Sequence, residues 1–245
     1  MRKWIAFWNI LLKDMRSYYL KPPNISWGLL FPLVWVAMFL IRSGLGLEML
    51  PELLPGLVSL SILFGTTSVL AVTVTFEKKG RSFERLLLAP FSLELLMLAK
   101  TSGAILFGTA NAFVPILAAV ILTDLPGMNW AMLIPATLLI AVSSTFLGLL
   151  IAVSAREVFE AQTFSNFFRF PMIFLCGLFF PVASLPVFLR PLSYALPLTY
   201  GNDILRGSIA GTSLMPLWLD FPVLLGSCAL LFYFSINIIN RKWIT

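Results

Sequence analysis

Six apolar runs, separated by charged or proline-rich segments, constrain this chain more than any other feature: residues 24–41, 53–76, 101–123, 130–153, 167–181 and 218–239. A helix needs about 20 predominantly apolar residues to cross ~30 Å of hydrocarbon at ~1.5 Å per residue. The fifth run is short and continues into prolines. Only 11% of the residues are charged and 59% are apolar, whereas a soluble domain carries roughly 25% charged residues. The chain therefore has too few charges to cover itself in water. The expected fold is all-α and integral to the membrane, a single domain over residues 1–245 with six transmembrane helices.

The net charge of +6 would raise the question of nucleic acid in a soluble protein. Here the cations fall between the apolar runs, so they report topology, and nucleic acid is not an expected partner. Cytoplasmic segments are enriched in Lys and Arg. With the N-terminus inside, fourteen of the 17 basic residues lie on that side: Arg2, Lys3, Lys13, Arg16, Lys21, Lys78, Lys79, Arg81, Arg85, Lys100, Arg156, Arg169, Arg241 and Lys242. Arg42, Arg190 and Arg206 lie outside. Both termini are expected in the cytoplasm. Five charges within the first sixteen residues interrupt any signal-peptide core.

Residues 1–22 read as an amphipathic helix lying in the membrane interface. At 100° per residue, Phe7, Tyr18, Leu11, Trp4, Met15, Trp8, Tyr19 and Leu12 share one face, opposite Lys13, Arg16, Arg2 and Asn9. Pro22 and Pro23 end it. Residues 182–211 are apolar yet broken by Pro186, Pro191, Pro197, Gly201, Gly207 and Gly211, and they carry Arg190, Asp203 and Arg206. Two short helices dipping back into the outer leaflet satisfy both facts. Gly207 and Gly211 form a GxxxG spacing, which permits close helix approach.

The most informative segment is the loop of residues 77–100. Glu77, Gly80, Glu84 and Arg85 suit water and headgroups, whereas Phe83, Leu86, Leu87 and Leu88 need apolar cover, and Pro90 and Ser92 precede the next helix. A short helix on the membrane surface, or docked in a groove of another protein, supplies that cover.

At these residues the chain resembles the permease subunits of the type-2 ABC exporter family. That family carries Gly-[Ser/Thr]-x-Glu-x-Leu-Leu-x-x-Pro-x-Ser after its second span. Ser82, Glu84, Leu86, Leu87, Pro90 and Ser92 match it, with Gly80 one residue early because Arg81 is extra. A second similarity runs from Phe170 through Gly177, Phe180 and Pro181 to Leu185-Pro186, Pro197-Leu-Thr-Tyr200 and Leu205-Arg206-Gly207. The resemblance implies a cell-membrane permease that pairs with a second copy. Each copy would bind a cytoplasmic ATPase subunit that holds ATP and magnesium, and this chain itself would bind no cofactor. It implies coupling through residues 77–100, with the N-terminal helix and Arg156, Glu157 and Glu160 as further contacts. It also places the second and fifth spans along the pathway, making Thr66, Thr67, Thr73, Phe174, Phe179 and Phe180 candidate lining residues for an amphiphilic solute. Drug, lipid, oligosaccharide and peptide cargoes all fit.

Absences in the sequence agree. No G-x-x-x-x-G-K-[ST] phosphate loop is present, so ATP hydrolysis by that route belongs to a partner. An ion-coupled secondary transporter needs ionisable residues in the span cores, where this chain has none. With no His, no paired carboxylates within a span, and Cys176 and Cys228 far apart in apolar runs, acid–base or metal chemistry finds few candidates. An ABC importer permease carries Glu-Ala-Ala with a following Gly; Glu160-Ala161-Gln162 matches two of the three and has no such Gly.

Overall fold

The structure, a computed structural model, describes residues 2–43, 49–80, 82–88, 92–123 and 127–242. Its regular elements are helical, with no strand among the described residues. The chain begins with α1 (Arg2–Asp14), a π-helical turn (Met15–Tyr19), α2 (Pro22–Ile25), a second π turn (Ser26–Leu30) and α3 (Phe31–Ser43). Next come α4 (Leu50–Lys79), α5 (Ser82–Leu87), α6 (Leu93–Leu122), α7 (Trp130–Ser154) and α8 (Val158–Leu175). A 3₁₀ turn (Val182–Ser184), α9 (Arg190–Ala195), α10 (Pro197–Ile209) and α11 (Leu217–Lys242) complete it.

Four helices, α4, α6, α7 and α11, are long and apolar enough to cross a membrane. They coincide with the second, third, fourth and sixth apolar runs. α4 is the hub: 89% of its apolar window is buried, against 22% for α11. It packs against α6, α7, α8 and α10, while α11 packs against α7 and α10 from outside. Glycine makes a close crossing of α4 and α7 possible. A Cβ on Gly148 of α7 would stand 2.4 Å from the Thr67 carbonyl oxygen of α4, so only a residue without a side chain fits there. Asn111 of α6 lies in a similar niche, its amide nitrogen 2.4 Å and 2.5 Å from where Cβ atoms would stand on Gly28 and Gly65.

Three expectations shift. The first run, at residues 24–41, is helical throughout but carries a π turn between α2 and α3. The helix of the fifth run begins at Val158 rather than at residue 167, and leaves helical geometry at Cys176 rather than at residue 181. The cause is partnering: Ala161, Ser165 and Arg169 recur on its buried face with Gln162 and Asn166 beside them, so the helix continues where hydropathy falls. Gly211 has φ +69° and stands beyond the end of α10, with nothing within 4 Å of its would-be Cβ; it turns the chain and makes no helix contact.

Residues 182–211 form two short helices, and the longer, α10, is largely buried against α7, α4 and α11. Its polar groups are met inside the protein, as burial requires. Asn202 accepts from the Ser59 hydroxyl at 3.2 Å and donates to the Gly177 carbonyl at 2.8 Å. Asp203 accepts from the Leu214 and Met215 amides at 2.9 and 2.8 Å.

Candidate functional site

The ends of α1, α4 and α6 meet where the basic residues gather, and charged side chains join them. Glu77 is in the last turn of α4, just before Gly80, whose amide donates to the Phe76 carbonyl and closes the helix. Asp14 ends α1, and Lys100 lies early in α6. All three are at most 2% exposed. Lys100 Nζ pairs with Asp14 Oδ2 at 3.1 Å and with Glu77 Oε2. Lys13 Nζ, on the rim, pairs with Asp14 Oδ1 at 3.2 Å and with Glu77 Oε1. Two ammonium groups thus answer two carboxylates in a closed, neutral clasp, the condition under which buried charge is tolerated.

The clasp sets its own protonation. Burial pushes the Glu77 carboxyl up, but Lys100 and Lys13 outweigh it and leave Glu77 below its ordinary value. Burial likewise pushes the Lys13 ammonium down, and Glu77 and Asp14 reverse that, leaving it raised. Both groups stay charged through the neutral range.

Below the clasp an apolar cluster locks α1 to α6. The expected apolar arc of the N-terminal helix is split in two: Phe7 and Leu11 turn inward, joined by Ile10 and Asp14 from outside the arc, while Trp4, Trp8 and Leu12 are 66%, 55% and 47% exposed. The π turn then rotates Tyr19 fully inside, its ring 5.9 Å from that of Phe107 and against Gly103. α5 joins the same cluster through Phe83, which is 1% exposed, and through Leu86, half-buried; Arg85 and Leu88 face outward. Ser92 caps α6, its hydroxyl accepting from the Leu95 amide at 3.4 Å. Pro90 lies outside the described residues, as do the side chains of Ser82, Glu84 and Leu87.

A looser link reaches the turn between α7 and α8. Lys79 pairs with Glu157 at 3.5 Å with both side chains more than half exposed, which contributes little. Glu160, in the first turn of α8, reaches back to accept the Arg156 amide at 2.7 Å, and Arg156 is exposed.

The candidate lining residues separate. Thr66 and Thr67 are fully buried and donate to backbone carbonyls, Thr66 to Ile62 at 2.9 Å and Thr67 to Ser144 at 3.2 Å. Phe174 and Phe180 are about half exposed on the outside, while Phe179 packs against the main core. Thr73 alone among them lines a cavity of about 580 Å³, where Tyr18, Asn24, Phe64, Ser68 and Arg169 join it.

Sequence reasoning missed the roles of Asp14, Lys100 and Arg169. One signal was available for Asp14, the only acid in an otherwise basic amphipathic helix. Another was the polar series Gln162, Asn166 and Arg169 at helical spacing in an aromatic-rich stretch. Among the described residues no group of His, Cys, Asp and Glu is arranged to hold a metal ion.

Known proteins share this chain's pattern over most of its length. The inner membrane transport permease YadH of Escherichia coli (strain K12) is 26% identical over 229 residues, covering 90% of this chain and 89% of that protein. Nodulation protein J of Neorhizobium galegae is 23% identical over 251 residues, covering 98% and 93% respectively. Residues 5–210 match the family described as ABC-2 type transporter. With apolar helices long enough to cross a membrane and a family match over most of its residues, the chain belongs to the ABC-2 type transporters and is a membrane transport permease.

Proposed function

We propose that this permease is the membrane-spanning part of an ATP-driven exporter. A separate cytoplasmic ATPase subunit would carry ATP and magnesium, and the cargo would be an amphiphilic solute (drug-, lipid- or glycan-like). The observation that carries the reading is the clasp. Glu77 stands at the base of the segment leading into α5 and is tied by Lys100 to α6 and by Lys13 to α1. A partner pressing on α5 therefore moves two other helices with it. Arg85 and Leu88 on its outward face, with Glu84, Leu87 and Pro90 of the same segment, form the coupling surface. Arg156 and Glu157 flank it.

In this reading α2 with α3, and α8, add the first and fifth spans to the four long helices. Both termini are cytoplasmic in the inner membrane, and α9 and α10 re-enter from outside. Two copies pair, with the exposed Phe159, Phe167 and Phe174 of α8 supporting an apolar contact with a second copy. ATP shifts the dimer between inward- and outward-open states only insofar as the ATPase binds them differently.

The test is to purify the permease with the ATP-binding protein that accompanies it and to measure solute-stimulated ATP hydrolysis in proteoliposomes. Arg85→Glu and Leu86→Ala should insert normally and lose stimulation by about tenfold, within the range of ordinary coupling energies. Full stimulation in both variants removes α5 from the coupling route. Transport down an ion gradient with no nucleotide present overturns the exporter reading itself.

A further inference from the structure

Arg169 is 4% exposed, yet no carboxylate pairs with it among the described residues. Its guanidinium has five N–H donors. One nitrogen donates to Asn166 Oδ1 at 2.5 Å, and Nε, also buried, has no hydrogen-bond partner among the described residues. The Phe64 ring centre lies 4.3 Å from the guanidinium carbon. A desolvated cation–π contact of that kind offsets only part of the cost of burying an ion. The cation is thus held in place but not neutralised. Glu77 and Asp14 are held in the clasp, Glu157 pairs with Lys79, and Glu160 accepts the Arg156 amide.

Arg169 lines the cavity of about 580 Å³ that α4, α8 and residues Tyr18, Asn24 and Phe31 border. No acid lines it. Its wall has two characters: Asn24, Ser68, Thr73 and Gln162 offer hydroxyl and amide groups, and Val69, Val72 and Phe170 offer apolar surface. The volume lies within the usual range of small-molecule sites.

We propose that this cavity binds the acidic headgroup of an amphiphile, a phosphate or carboxylate, with Arg169 as its counter-ion. The apolar wall takes the first part of the chain attached to it. The guanidinium fork matches either oxyanion bidentately, and a desolvated site strengthens the contact. Two sources share this chemistry: the transported solute and a resident membrane lipid. The proposal deepens the exporter reading and rests on it only for the first source, because binding is measured without ATPase or nucleotide.

The experiment titrates the full-length permease, purified in dodecyl maltoside, with n-dodecyl phosphate. Bound phosphate is counted by equilibrium dialysis and thermal stability is followed in parallel. Wild type should bind saturably and melt at a higher temperature as the probe fills the site. Arg169→Gln should bind at least about tenfold more weakly, the loss expected for one charge-assisted contact. Without probe, that variant should melt no lower than wild type, because it removes an unneutralised buried charge. Arg169→Lys should retain part of the affinity. Equal affinity in wild type and Arg169→Gln overturns the proposal. So does a loss of stability in Arg169→Gln without probe, which would mark Arg169 as a packing residue. In proteoliposomes with the ATPase, stimulation of hydrolysis by dodecyl phosphate assigns the site to cargo; saturable binding without stimulation assigns it to a resident acidic lipid. Failure of binding leaves the coupling role of α5 standing, and failure of coupling leaves the binding result standing.

Discussion

Lys100 on α6 and Asp14 on α1 form an ion pair at 3.1 Å although 86 residues separate them, and each is 1% exposed. Glu77 closes on the same ammonium group from α4. α1 is therefore not merely laid against the bundle: its last residue is pinned into it.

Removing one member should cost more than the pair contributes. Lys100→Met leaves Asp14 and Glu77 buried with only the half-exposed Lys13 between them, at an expected cost of about 3–5 kcal/mol. α1 should undock and become open to protease while α4 and α7 stay packed. An unchanged melting temperature and an uncut α1 in this variant would show the clasp to be idle. Lys100→Arg should lose less.

The pH dependence of α1 docking follows from the two shifted groups. Glu77 is held below its ordinary 4.5, so its contribution is present above that value and lost as pH falls through the lower folded value. Lys13 is held above its ordinary 10.5, so its contribution is present below that value and lost as pH rises through the higher one. Docking, followed by the fluorescence of Trp4 and Trp8, should be flat from about pH 5 to about pH 10 and weaken at both extremes. Glu77→Gln should abolish the acid limb. A midpoint between pH 6 and 8 contradicts this assignment.

Tyr19 separates packing from hydrogen bonding. Its side chain is fully buried against Phe107 and Gly103, but its hydroxyl has no hydrogen-bond partner among the described residues. Tyr19→Phe should leave stability equal or higher, since only an unmet polar group is lost. Tyr19→Ala should cost about 3–5 kcal/mol through the cavity it leaves. Thermal melting of the two variants in detergent decides it; a costly Tyr19→Phe would mean that the hydroxyl is engaged.

Two helical glycines should respond oppositely to the same substitution. Gly148→Ala drives a Cβ against the Thr67 carbonyl, and backbone moves only at a cost of about 1–3 kcal/mol or more. Gly226 on α11 has nothing within 4 Å of its would-be Cβ, so Gly226→Ala should gain about 0.5–1 kcal/mol from helix propensity. Comparable melting temperatures for the pair would contradict the close crossing of α4 and α7.

Much of the architecture was legible because hydropathy and charge act locally. The runs at 53–76, 101–123, 130–153 and 218–239 became α4, α6, α7 and α11 with only their ends extended. The extensions are informative. α4 runs on to Lys79 and α6 starts at Leu93, because Glu77 and Lys100 find each other and so do not have to leave the helix for water. The fifth run was misplaced for the same reason in reverse: Gln162, Asn166 and Arg169 lower the hydropathy of α8 without ending it.

From its sequence alone the chain was determined to be a membrane protein with a motif-bearing loop between its second and third apolar runs. Transfer to lipid is a property of each residue, and the loop motif is a matter of spacing. Tertiary structure alone decided which half of α1's apolar arc docks and which charges meet in the clasp. It also decided which hydroxyls are spent on carbonyls and where the unneutralised Arg169 points. Those outcomes depend on partners tens of residues away, and a buried charge is stable or costly only according to the group brought opposite it.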